Sequence, residues 1–148
     1  MTLRSRFAAV IAGLWAGVLL CIALIATPAP FAMLPMADAG RVVGRIFEQE
    51  AYLSLGVAML LVFFDRAGRR ETVIFKSGSV FGTNLMLIFG ALFCTVAGYF
   101  AVQPMMAAAR AGQGALSFGA LHAISLGFFA LKGLLVLALA WRLVGSAR

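Results

Sequence analysis

The sequence predicts an all-α protein, a four-helix transmembrane bundle, and three observations carry that prediction. Of 148 residues, 64% are hydrophobic and 11% charged, with a mean hydropathy of +1.05, whereas soluble domains are about half apolar and about a quarter charged. Four apolar stretches, residues 7–26, 47–64, 80–102 and 116–141, approach or exceed the roughly 20 residues that a helix needs to cross a hydrocarbon core of about 30 Å. None alternates in the manner of the roughly ten-residue strands of a membrane barrel, and a helix satisfies its own backbone in lipid.

No linker rich in proline or serine and no run of charge divides residues 1–148, so a single membrane domain is expected. The net charge of +7 sits in short clusters between apolar stretches rather than along one face. It therefore reads as membrane topology, and a nucleic-acid partner is not expected. The two cysteines, Cys21 and Cys94, lie inside apolar stretches and form no CxxC motif or secreted disulfide framework.

The first stretch follows Arg4 and Arg6, as a signal peptide would, but its apolar run exceeds an ordinary signal core. Leu20 before Cys21 also departs from a lipoprotein signal, so a retained helix is expected. Pro28, Pro30 and Pro35 predict a non-helical connection after it. Next, Arg41, Arg45 and Glu48 recur at helical spacing while Val42, Val43, Ile46 and Phe47 cover another face. A short amphipathic segment resting at the interface before helix two is the expectation. Arg41, Arg45, Glu48 and Glu50 are assigned there as interfacial, solvated charges.

Small residues recur every fourth position: Ala9, Gly13, Gly17 and Cys21 in the first helix, Gly82, Gly90, Cys94 and Gly98 in the third, where Met86 interrupts, and Ala115, Gly119, Ala123 and Gly127 in the fourth. Positions four apart share a helix face and small side chains let backbones approach, so these stripes are expected to be packing seams. Gly78 and Gly82 give a further small-residue pair near a helix boundary. The similar stripes of helices one and three, which run the same way, suggest a duplicated hairpin.

Arg4, Arg6, Arg66, Arg69, Arg70, Lys76, Arg142 and Arg148 fall on one side of the predicted spans, against Arg41, Arg45 and Arg110 on the other. The richer side is expected to be cytoplasmic, giving an inner (plasma) membrane, multi-pass protein with both termini inside.

The strings LWAGVLLCIALIATPAPF (14–31), GRVVGRIFEQEAY (40–52) and FGALHAIS (118–125), in that order and spacing, resemble the transmembrane protein 205-like family, known in bacteria mainly as a domain of unknown function. The resemblance implies a four-helix membrane protein and, in animals, an association with export of or tolerance to platinum drugs. Where relatives have Phe-Pro-Xaa-Tyr at the entry to helix two, this chain has Phe47-Glu48-Gln49-Glu50-Ala51-Tyr52. A more distant similarity runs to copper-resistance membrane domains and to a four-helix haem-associated oxidase family.

Polar groups in the apolar stretches are few: Asn84, His122, Ser125 and Lys132, with Asp65 at the inner edge, and each calls for a reason because such groups are costly in lipid. His122, Ser125, Phe129 and Lys132 share one face of the last helix, which is expected to point into the bundle. Lys132 is placed in the inner third, snorkelling or pairing with Asp65 or Asn84. With Glu48 and Glu50 assigned to the interface, no carboxylate is expected inside a helix, which argues against a proton relay.

Two cofactor readings use these residues. Cys21, Cys94 and His122 are placed about 10 Å deep in the outer half, with Met33, Met36, Met105 and Met106 above them; thiolate, thioether and imidazole are soft ligands suited to Cu(I). Haem b would take His122 as axial ligand, with no second histidine in the chain. Against both stands ordinary packing, with His122 making an interhelical hydrogen bond. No Ser-His-acid set, zincin motif or phosphate-binding glycine loop is present. The expectation is therefore a non-catalytic structural or interaction protein without cofactor, whose partners are the lipid bilayer, copies of itself or other membrane proteins. The alternatives are a membrane binding or export protein for copper or a small hydrophobic molecule, and a haem-associated oxidase.

Overall fold

The computed structural model describes residues 3–73 and 82–145, side chains of 68–73 excepted. Lys76, Gly78 and Arg148, and the side chains of Arg69 and Arg70, which enter the topology and packing expectations above, lie outside the described residues. Among the described residues there is no strand, and four helical spans are long and apolar enough to cross a membrane: Leu3–Met33, Met36–Ala67, Thr83–Arg110 and Phe118–Gly145.

The first span is α1 (Leu3–Cys21), a π turn over Ile22–Ala26, and α2 (Pro28–Met33). The second is α3 (Met36–Val73), a single helix of 38 residues. The third is α4 (Thr83–Thr95), a second π turn over Val96–Ala101, and α5 (Val102–Arg110), and the fourth is α6 (Phe118–Gly145). Gly82, expected inside helix three, stands in extended conformation as the N-cap of α4. The α5–α6 connection turns through Gly112 and Gly114, both at positive φ, and α6 begins where the Ser117 hydroxyl accepts the Ala120 N–H at 3.2 Å.

One sequence expectation gives way here, for a reason of backbone hydrogen bonding. Pro28 and Pro30 do not keep their stretch irregular: they occupy the first turn of α2, where a missing N–H has no intrahelical partner to lose. Leu34, extended at φ −122° and ψ 155°, and Pro35 break the chain before α3. The amphipathic lead-in to helix two is helical, as expected, and runs without interruption into the second span.

Both π turns sit just ahead of prolines, Pro28 and Pro30 in the first span and Pro104 in the third. Proline gives no N–H to the carbonyl four residues back, and a shift to wider hydrogen bonding, seen in Thr27 N–H donating to the Ile22 carbonyl at 2.9 Å, absorbs the mismatch. The two spans also share a string ahead of the π turn, Gly17-Val-Leu-Leu-Cys21 and Gly90-Ala-Leu-Phe-Cys94. Each is then followed by one long helix, so the chain reads as two similar hairpins.

The hairpins pack in a ring. Helix α1 adjoins α3 and α6, and α4 adjoins the same two. Among the described residues the backbones of α3 and α6 do not come within reach of each other, nor do those of α1 and α4, so these pairs stand on the diagonals. One apolar cluster, including Ala12, Trp15, Leu19, Leu61, Ile88 and Leu139, fills the end of the bundle near the termini. A smaller one, Val102, Met106 and Leu121, fills the opposite end.

Candidate functional site

Between the two apolar clusters lies a layer of buried polar side chains. Glu50 is 4% exposed and Lys132 3%. The Lys132 Nζ donates to both carboxylate oxygens of Glu50, at 2.8 Å to Oε1 and 2.7 Å to Oε2. The Ser54 hydroxyl donates to Oε1 of the same carboxylate, and in turn accepts the indole N–H of Trp15 at 2.9 Å. The chain Trp15–Ser54–Glu50–Lys132 thereby ties α1, α3 and α6 together.

Helical geometry explains why these residues meet. Glu50 and Ser54 are one turn apart on α3, on the face that also buries Ala39, Val43, Ala58 and Leu61. Glu50 stands fourteen positions after Met36, and Lys132 fourteen after Phe118 and thirteen before Gly145. At 1.5 Å per residue, each lies about 21 Å along its helix, near the middle of the span. Because α3 and α6 are diagonal, two long side chains are needed to bridge them. Phe129, one turn from Lys132, packs edge-on to Phe47 of α3 with centroids 5.1 Å apart and presents its ring 5.1 Å from the ammonium. A cation against an aromatic face and a doubly bonded carboxylate leave Lys132 well accommodated in a place where a lone charge would be very costly.

This placement corrects two sequence expectations. Glu50 is not interfacial with Arg41, Arg45 and Glu48, and the helix interiors do contain a carboxylate. With helix two read from Phe47, Glu50 stood at a helix start; with α3 continuous from Met36, it falls near the middle of the helical span. Lys132 pairs with neither Asp65 nor Asn84. Asn84 Oδ1 instead accepts Arg142 Nε at 3.2 Å, and Asp65 is half-buried near the end of the second span. Arg41 pairs with Asp38, and Arg45 with Glu48 at 2.6 Å, beside an aromatic group in which Phe100 packs on Tyr52 and Tyr99.

Ser125 donates to the Gly98 carbonyl at 3.0 Å, within the second π turn. There a Cβ added to Gly98 would lie 2.6 Å from Phe128 Cβ, and one on Gly90 would lie 3.0 Å from Leu135 Cδ1. These two glycines do let helices approach. Gly13, Gly17, Gly119 and Gly127 do not: an added Cβ meets nothing within 4 Å at any of them, since α1 turns Ala8, Ala12, Trp15, Ala16 and Leu19 inward instead.

The soft-ligand residues do not gather at one place. Cys94 is buried and close enough to Lys132 to feel its charge. His122 is exposed, rather than turned into the bundle, and stacks on Phe118 with centroids 6.0 Å apart. It precedes Lys132 by ten positions, about 15 Å along the helix. Cys21 is exposed, Met33 and Met36 are 82% and 80% exposed, Met105 is about half exposed, and Met106 is buried in the far apolar cluster. Among the described residues no three His, Cys, Asp or Glu side chains are grouped to hold a metal ion. Cys21, Cys94 and His122 therefore form no three-ligand group of that kind among the described residues.

A family model described as a domain of unknown function, DUF4149, matches residues 10–115, more than half of the chain. The chain belongs to this family. The matched residues include Trp15, Glu50 and Ser54 and stop before Lys132 on α6. No curated protein and no solved structure matches the chain.

Proposed function

We propose that this multi-pass membrane protein resides in the inner (plasma) membrane with both termini cytoplasmic, packs with copies of itself or with other membrane proteins, and performs no catalysis. Within the DUF4149 family we assign it to the transmembrane protein 205-like group, on the strings at 14–31, 40–52 and 118–125. The observation that carries the reading is the closed polar centre: Glu50, Lys132, Ser54 and Trp15 meet one another's hydrogen-bonding needs, as suits a structural clasp. The uncovered small-residue faces at Gly13 and Gly17 and at Gly119 and Gly127 add to it, because such faces let further helices approach closely in lipid.

The test is purification from native membranes with partners, metal content and optical spectrum measured together, for the wild type and His122→Ala. The reading expects a retained membrane partner or a self-oligomer, no stoichiometric metal, no Soret band, and no change with the variant. Metal or haem at about one per chain that disappears with His122→Ala would move the assignment to soft-metal handling or haem chemistry. A reporter fused after Arg148 that is active only outside the cytoplasm would overturn the orientation.

A further inference from the structure

We propose that the Glu50–Lys132 pair is a proton-operated latch between the two hairpins, closed while the pair is net neutral and opened when the carboxylate takes up a proton. The latch concerns how the bundle is held, and it does not depend on what the bundle packs against.

The geometry makes the pair a junction. It joins α3 of the first hairpin to α6 of the second across a diagonal on which the backbones do not adjoin, so the side chains themselves carry the contact, together with the ring pair Phe47–Phe129. The hydrogen-bonding pattern also requires a particular charge state. Both oxygens of Glu50 accept from Lys132, and Oε1 accepts from Ser54 as well. An ionised carboxylate is acceptor-only and can serve all three bonds, whereas a protonated one must donate through one oxygen. That oxygen already faces a donor.

Uptake of one proton therefore has two consequences. It sets donor against donor, and it turns a neutral pair into a single positive charge at the middle of the bilayer, where lone charges are costly. Lys132 can relieve this by swinging its flexible stem off the carboxylate, which separates it from α3. The step is balanced: a proton from water binds a Glu50 oxygen, hydrogen bonds break and no covalent bond does, and loss of the same proton restores the pair.

Other groups around the pair leave it in control. Helix α4, which adjoins α6, contributes the buried thiol of Cys94, and among the described residues Glu50 is the charged group bonded to this lysine. Helix α1 presents the neutral indole of Trp15, and α3 adds the hydroxyl of Ser54. Tyr99, Glu48, Arg45 and Tyr52 interact with one another in a separate group toward the end of the bundle away from the termini.

Trp15 supplies a native readout, since its N–H bonds to the hydroxyl that in turn bonds Glu50 and its side chain is 2% exposed, while Trp141, the other tryptophan, is 82% exposed. The experiment uses Trp141→Phe full-length protein in phosphatidylcholine vesicles, with the emission of Trp15 followed from about pH 8 down to about pH 2, well below the ordinary range of a free carboxylate. The expected result is a reversible red shift on acidification. Adding Glu50→Gln should give the acid-type emission at every pH, because the lysine then has no counter-charge, and Glu50→Gln with Lys132→Met should hold the neutral-type emission throughout. Emission that stays constant with pH in the Trp141→Phe protein would overturn the latch, as would an equal red shift in the protein that also carries the Glu50 and Lys132 substitutions. If Glu50→Gln alone loses its helical circular dichroism, those two proteins still decide the matter.

Discussion

Replacing Lys132 by methionine removes the ammonium and leaves Glu50 facing a dry bundle centre with one hydroxyl donor. The magnitude follows from burial of both side chains, neither more than 4% exposed. Breaking a buried ion pair from one side costs about 3–5 kcal/mol. A ceiling comes from neutralising the stranded group at pH 7: about 3.7 kcal/mol for a glutamate and about 4.6 kcal/mol for a lysine, from their ordinary ionisation at 1.36 kcal/mol per unit. Lys132→Met and Glu50→Gln should thus each destabilise by about 3–4 kcal/mol, the glutamate substitution slightly more because it strands the lysine. The double variant strands no charge and should lose only about 1 kcal/mol, since apolar or neutral replacement of a buried pair is often close to neutral. The assay is a double-mutant cycle on reversible unfolding in mixed detergent micelles, where the coupling energy should be several kcal/mol. Additive losses, with the double variant the least stable of the three, would refute the claim that these charges depend on each other.

Three further outcomes follow from the same packing. Gly98→Ala should destabilise by about 1–3 kcal/mol, because the added methyl meets the Cβ of Phe128 at 2.6 Å, whereas Gly17→Ala should change the stability of the isolated chain by no more than about 1 kcal/mol and in the favourable direction; thermal melts of both would show it. Ser54→Ala should cost about 1–3 kcal/mol in the same unfolding assay, as it leaves the buried indole N–H of Trp15 without its acceptor. In native membranes Gly17→Ala or Gly127→Ala should weaken self-association or partner retention on native gels without altering the monomer, and unchanged association would remove those faces from the account.

Much of the fold was legible because lipid imposes strong constraints. Four long apolar stretches admit few alternatives to four helices, and the basic flanks give a definite expectation for orientation. What was not legible depended on where helices begin. Three prolines read as a break, yet Pro28 and Pro30 fall where a helix tolerates them, and only the tertiary path distinguishes a first turn from a loop. The lead-in through Arg41, Arg45 and Glu48 was recognised as helical, but its charges were all assigned to the interface, and Glu50 was assigned with them although it falls near the middle of the span. A signal was available: Ala39, Val43, Glu50, Ser54 and Leu61 fall on one helical face, and a carboxylate and a hydroxyl on an otherwise apolar seam call for a buried partner. Lys132, already singled out as costly, needed a carboxylate at matching depth, and Glu50 supplies it. The small-residue stripes misled in a different way. Spacing identifies a face that can approach another helix, but it does not say whether that helix belongs to the same chain, and α1 packs instead through Ala12, Trp15 and Leu19.

The central claim is that Glu50 and Lys132 meet across the diagonal of the bundle in the membrane, and thiol cross-linking tests it most directly. In a background of Cys21→Ser and Cys94→Ser, Glu50→Cys with Lys132→Cys is treated in native membranes with a flexible bis-maleimide, whose two ends each add one thiol, and Gly90→Cys with Leu135→Cys reports the adjoining α4–α6 contact in the same background. The account predicts an intramolecular link in both proteins, the first requiring a reagent long enough to span the diagonal. A link at 90–135 with none at 50–132 for any reagent length would contradict it.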